Sequence, residues 1–362
     1  MQEMLSFIAQ LRQEALKKFK KNRVVGYFCV YVPPELIEAA GFMPVRLAGL
    51  GDGTAENEGE KFIHNEACSF CKECLGLKSL KQLPHNAVDR LIIPSGCDQM
   101  KRHGEKWNLD FNIPTYHLFV PATWEDPSSQ NIYWQEIKWL ADELDTLAQN
   151  NPDRKPINQV VAQYNEARKR FMRLSGLMDY ADYFNLAHLF FISPVSDFLR
   201  YLDRIEQRLE PNPATSGKTR LLLVGSPVGY GDNFIQKALA KHPDAEIVYD
   251  ATCTGHRSFD MDIPLSGDMI ANIAASYFTR PPCIWRRPNT QFYQYIKGII
   301  AKYRIDGIIY KTLKFCDLWK YEFKRFKDWA ECPVIGIENT YSSSQDAQIN
   351  KRISAFLETF KQ

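Results

Sequence analysis

Nine cysteines are the residues with the most chemistry to offer in this chain. Cys68, Cys71 and Cys74 fall in the run ACSFCKECLG, with two residues between each pair. The other six are Cys29, Cys97, Cys253, Cys283, Cys316 and Cys332. The count is odd and the N-terminal stretch lacks the order of a secretory leader, so a disulfide framework is a poor reading. Inert buried thiols or metal ligands remain. A thiol at a helix N-terminus ionises more readily, which favours ligation. The triple-cysteine run lies at or near the start of a predicted helix. On a helix Cys68 and Cys71 share a face, while Cys74 lies further round. No Cys-Pro completes an iron–sulfur run there, and no second Cys or His pair follows at zinc-finger spacing.

The elements around the cysteines say where the thiols go. Cys97 follows the predicted strand DRLIIPSG, Cys253 follows AEIVYDAT and Cys316 follows DGIIYKTLKF. In open α/β sheets, sites form at the carboxyl ends of strands, so three thiols arriving there can meet one ligand. Hydrophobic periodicity predicts a helix over 1–22 and strands at 24–33, 44–50, 89–96 and 112–121, with 51–60 read as a polar loop. Long helical patterns fill 130–150, 157–174 and 193–210, with a softer one near 176–190. After a connector at 208–220, strands recur at 220–226, 245–251, 306–312 and 333–338, interleaved with helices, the last at 345–361. The pattern predicts an α/β fold with two flavodoxin- or Rossmann-like parallel-sheet domains joined by a helical segment. The expected division is 1–125, 126–215 and 216–362.

Composition narrows the function. The 362 residues are 45% hydrophobic and 24% charged, which suits a globular chain long enough for more than one domain. A net charge of +2 gives no argument for nucleic acid or a membrane surface, and a cytoplasmic location is expected.

Several ordered motifs resemble the 2-hydroxyacyl-CoA dehydratase and benzoyl-CoA reductase family, in its cluster-bearing subunits. They are YFCVYVPPELIEAAGFMPVRL (27–47), ACSFCKECLGL (67–77), IIPSGCDQMKR (92–102), LLLVGSPVG (221–229), YDATCTGHRSF (249–259), RPPCIWRRPN (280–289), DGIIYKTLKFCDLWKYE (306–322) and the closing PVIGIENTYS and AQINKRISAFLE. The resemblance covers roughly 24–120 and 220–360. It implies one 4Fe–4S cluster on Cys68, Cys97 and Cys316, a related subunit or a second copy as partner, an ATP-hydrolysing activator, and an acyl-CoA substrate. The activity it implies is radical dehydration after one-electron activation, or reduction in the benzoyl-CoA branch. A branch with an 8Fe–9S double-cubane cluster would recruit Cys253, Cys283 and one of Cys71 or Cys74 as well. The sequence departs from the family at Leu318-Trp319, where many relatives carry Pro-His, which brings in a third reading as a non-catalytic homologue.

Other residues have candidate roles. Glu338, at the end of a strand, is a candidate base, and Cys29 a candidate site-lining thiol. Arg257 and its neighbour His256 are candidates for contact with an anionic substrate. Trp319 is a candidate pocket wall, together with Trp285, Tyr310 and Tyr341. Cys332 precedes a strand, away from the carboxyl ends, and reads as structural. Gly225-Ser226-Pro227-Val228-Gly229 reads as a tight turn rather than a phosphate loop.

Overall fold

Runs of β-branched and aromatic residues form the strands, and helices cover them on both faces, as parallel sheets require. The computed structural model describes residues 2–209, 217–341 and 346–361. The first sheet holds β1 (Val24–Tyr27), β2 (Met43–Arg46), β3 (Arg90–Pro94) and β4 (Thr115–Leu118), in the order β2-β1-β3-β4. The second holds β5 (Thr219–Gly225), β6 (Ala245–Asp250), β7 (Gly307–Leu313) and β8 (Val334–Asn339), in the order β6-β5-β7-β8. Every pairing is parallel. The fold is α/β, with two Rossmann- or flavodoxin-like domains. The central strands β1 and β7 are buried along their whole length.

Two local expectations are corrected. The strand expected over 24–33 stops at Tyr27, because the chain must turn at Cys29, whose φ is 68°. Residues 51–60 are not a loop but contain the helix Gly53–Gly59, capped by Asp52, which accepts from the N–H groups of Thr54 and Ala55. Its polar sequence hides a close contact of small residues. A Cβ on Gly59 would lie 1.9 Å from the carbonyl oxygen of Lys72, so the helix can approach Ser69–Ser79 only with glycine there. Residues 210–216 of the connector, and residue 345 of the last predicted helix, lie outside the described residues.

Four helices, Pro127–Leu147, Ile157–Ser175, Tyr180–Phe191 and Val195–Glu206, bind the halves together. Glu35, fully buried on the short helix Pro34–Ala39, takes an ion pair from Arg168 and a 2.8 Å hydrogen bond from the Tyr277 hydroxyl. The three residues come from the first half, the helical block and the second half. Three residues on, buried Glu38 accepts from Tyr164, Lys155 and the backbone of Val195. The halves also touch directly, where Tyr230 and Gly231 donate backbone hydrogen bonds of 2.7 Å to Gly49 and Leu50. Among the described residues, no helix is long and apolar enough to cross a membrane.

Leaving one charge of a buried pair without its partner costs about 3–5 kcal/mol. Arg168→Met should therefore lower unfolding stability by about that amount, measured by urea denaturation. The pH response is a balance. Burial holds His85, His103 and His256 down at about 3. Below pH 6.5 the unfolded chain therefore gains protons that the folded one does not, and stability falls. Burial also lifts Asp250 to about 6 and Asp182 to about 7, which works the other way across the same range. Asp250→Asn removes one of the opposing groups. Its urea midpoint should fall more steeply than that of the parent between about pH 6 and 4, and parallel curves would contradict this account.

Candidate metal centre

The carboxyl ends of both sheets open onto one cavity of about 120 Å³. In each sheet the strand order reverses at the central pair, β1/β3 and β5/β7, and a crevice opens at such a point. Cys29 follows β1, Cys97 follows β3, Cys253 follows β6 and Cys316 follows β7, and all four reach the cavity. Cys68 and Cys71 arrive with the helix Ser69–Ser79, and Cys283 arrives from the segment before the helix Thr290–Tyr303. Seven of the nine cysteines thus line one space. The remaining wall is mostly apolar, with Phe70, Met100, Ile284, Trp285, Leu318 and Trp319. Its polar members are Gln99, Thr254, Arg46 and Arg257, and no carboxylate or imidazole stands among the described lining residues.

Three helix N-termini point their thiols at this space. Cys68, Cys97 and Cys316 are the N-cap residues of Ser69–Ser79, Asp98–Phe111 and Asp317–Trp329. None makes a full side-chain capping hydrogen bond. Backbone N–H groups of Phe70, Met100 and Trp319 nevertheless lie near enough to favour the three thiolates. Burial opposes them and raises Cys97 to about 12. Contact with the thiol of Cys316 favours the Cys68 thiolate, but contact with Cys71 and burial outweigh it and raise the group. The Cys316 thiol is raised by its contact with Cys68, then by burial. Burial also lifts Cys29 to about 11, helped by Cys253 and Cys283. Dry thiols held close together at positive helix ends need a cation to become thiolates, which is the donor chemistry of an iron–sulfur or zinc site.

A single glycine keeps the second sheet in place under the site. Gly225 ends β5 with φ +139°, and a Cβ there would lie 1.8 Å from the carbonyl oxygen of Lys311. The turn that follows spends its donors internally: Ser226 bonds Lys311, and Val228 bonds the Thr254 hydroxyl. It is a tight turn, not a phosphate cradle.

The remaining candidates divide. Arg257 and Trp319 both line the cavity and are nearly fully buried, as does Trp285. Trp319 packs its ring against Phe292 and Tyr310. His256 does not reach the cavity. It is buried with Nε2 on the Ser175 hydroxyl at 3.0 Å, and Nδ1 accepts from the Asp250 N–H, so it cannot contact a substrate there. Glu338 does not reach it either. Strand alternation turns it to a separate surface cavity, where it pairs with Lys320 at 2.8 Å. Cys74 is fully buried in the core, turned away from the site. Cys332 packs beside β8 at the opposite end of the strands. Tyr310 and Tyr341 also stand outside the cavity wall. Sequence reasoning missed Arg46, although a charge closing the buried strand β2 at its carboxyl end was the available signal. Among the described residues, no three His, Cys, Asp or Glu side chains close around a point as a single ion demands. A cluster binds its cysteines through separate iron atoms, so its ligands stand further apart.

Two parallel sheets meeting edge to edge over a thiol-lined cavity define a class of α/β proteins with a buried sulfur-donor site. The sequence profile described as "2-hydroxyglutaryl-CoA dehydratase, D-component" matches residues 29–360, and the chain belongs to that family. It is 23% identical to the dehydratase subunit YjiM of Escherichia coli K12, over 92% of this chain and 91% of that one. It is also 23% identical to a benzoyl-CoA reductase subunit of Thauera aromatica (94% and 91% covered). The same identity holds for the (R)-phenyllactyl-CoA dehydratase beta subunit of Clostridium sporogenes (93% and 92%). The chain is thus a dehydratase-like or reductase enzyme component, and relatives named as subunits imply a partner subunit.

A thiol held at about 12 carries about a thousandfold less thiolate at pH 8 than a free cysteine. In metal-free protein, alkylation of Cys97 by iodoacetamide, followed by mass spectrometry, should be correspondingly slow. It should accelerate about tenfold per pH unit between 8 and 10. Rapid labelling at pH 8 would show that the thiols are not held protonated.

Proposed function

We propose that the cavity holds an iron–sulfur cluster, and that this chain is the cluster-bearing subunit of an enzyme activated by one electron from an ATP-hydrolysing partner. The observation that carries the reading is that Cys68, Cys97 and Cys316, drawn from both halves of the chain, line one apolar cavity at three helix N-termini. These three would hold a 4Fe–4S cluster. Such a cluster supplies low-potential electrons and, at an iron without a protein thiolate, a Lewis acid. In this reading the chain works as an N-terminal unit to 125, a helical segment to 215 and a C-terminal unit from 216. The partner is a related subunit or a second copy, and the location is cytoplasmic. An acyl-CoA is the substrate if the reaction is the dehydration for which the clostridial relative is named.

The protein's own part in the chemistry is to keep the site dry and positively polarised. Phe70, Trp285, Leu318 and Trp319 exclude water, so charge on any bound group is felt strongly. Gln99 and Thr254 are the uncharged polar side chains in reach for orienting a ligand.

One set of observations favours a second reading, reduction of a small molecule on an 8Fe–9S double-cubane cluster. Cys71, Cys253, Cys283 and Cys29 bring the thiols to seven, more than a single cubane uses. The space is small beside the roughly 300–1,000 Å³ of ordinary ligand pockets, and the wall carries no acid or base for a dehydration among the described residues. Iron and acid-labile sulfide in anaerobically purified protein separate the readings: about four irons per chain for the first, about eight for the second. Cys68→Ser, Cys97→Ser or Cys316→Ser should remove iron in both. Cys253→Ser or Cys283→Ser should halve it only in the second. Zinc in place of iron would overturn both.

A further inference from the structure

The cysteine cavity is walled by buried positive charge that no carboxylate among the described lining residues balances. Arg257 and Arg46 both line it, with 1% and 5% of their surface exposed. The Arg46 Nη1 donates to the Ser258 hydroxyl at 2.7 Å. Arg257 donates to one oxygen, the carbonyl of Pro281, which accepts from Nη2 at 3.2 Å. Its Nε and Nη1 are buried with no hydrogen-bond partner among the described residues. Arg280 stands behind it and donates to the Arg257 carbonyl and to Val30.

The contrast with Arg168 is informative. That guanidinium is equally buried, but Glu35 neutralises it. A buried charge without a counter-charge is costly, and folds usually avoid it. Here the guanidinium lines a space that also holds Cys253 and Cys283, with no ion-pair partner among the described residues. Burial raises the Cys283 thiol, and the neighbouring Arg257 guanidinium opposes it by favouring the thiolate. The buried carboxylate that feels Arg257, Asp250, stands outside the cavity wall, so an anion within the cavity would be stabilised by the guanidinium.

Resting on the second, double-cubane reading above, we propose that Arg257 is the fixed counter-charge for an anionic iron–sulfur group ligated on the Cys253 and Cys283 side. The same charge sets how readily that group takes up an electron. A nearby positive charge stabilises the more negative, reduced form, so its removal makes reduction harder. Arg257 is a tuning residue in this role, acting through its charge without reacting.

The test compares wild type, Arg257→Gln and Arg257→Lys after anaerobic reconstitution with iron and sulfide. It reads iron per chain, midpoint potential by EPR-monitored dithionite titration, and thermal unfolding with and without iron. The expected result is a one-electron equilibrium shifted at least tenfold towards the oxidised form in Arg257→Gln, about 59 mV more negative, with Arg257→Lys restoring most of it. Loss of iron from Arg257→Gln alone, with the metal-free variant still folded, supports the same role. Metal-free Arg257→Gln should unfold no earlier than metal-free wild type, because an unbalanced charge has gone, whereas the iron-loaded variant should unfold earlier than loaded wild type. Equal potentials in all three proteins would overturn the proposal. So would a Gln variant destabilised alike with and without iron, since that is the mark of a packing role through Pro281. Wild type that takes up no iron, or only about four irons per chain, would instead overturn the double-cubane reading on which the inference rests.

Discussion

Glu35 is the point on which the rest of the structure leans. Its carboxylate is fully buried and is held by Arg168 from the helical block and Tyr277 from the second half. A buried carboxylate is tolerable only with such partners, so the three segments are not free to drift apart. The two sheets are thereby held with their carboxyl edges facing. The glycine crossing at Gly49–Gly51 and Gly229–Gly231 adds a second tie, made of backbone alone. It uses no side chain, and at its glycines it tolerates none: a Cβ on Gly51 would lie 2.5 Å from the carbonyl carbon of Gly231.

That fixed meeting of edges makes the site a property of the architecture rather than of a local motif. Parallel strands end where helices begin, so the same geometry delivers thiols and helix N-termini to one place. The cavity is consequently electropositive before any arginine is counted. Arg46 and Arg257 strengthen what the backbone already provides, and the dry aromatic wall keeps water from screening it.

Much of this was legible in the sequence, for physical reasons that also mark the limits. Buried parallel strands are apolar and rich in β-branched residues, so runs such as DGIIYKT announce themselves, and a cysteine just beyond such a run sits at the functional edge. The helix at Gly53–Gly59 was not legible, because small residues rather than an apolar stripe pack it. Cys29 looked like the interior of a strand, yet its left-handed backbone is a tertiary effect that aims its thiol into the cavity. Glu338 failed as a candidate because its strand end was right but its face was wrong, a distinction that one residue of register decides. His256 failed although it lies in a family motif, since the next residue, Arg257, is the one turned to the site.

The wide spacing of the thiols along the chain has a consequence for biosynthesis. Cys29, Cys68 and Cys97 leave the ribosome early, whereas Cys316 follows the seventh strand of eight. The cavity cannot exist while β7 is still unmade, because one of its walls is missing. A nascent chain therefore exposes five reactive thiols from the first half before there is any site to hold them. Whatever the site holds must be delivered after synthesis is nearly complete, and until then the thiols depend on a reducing environment to stay unpaired.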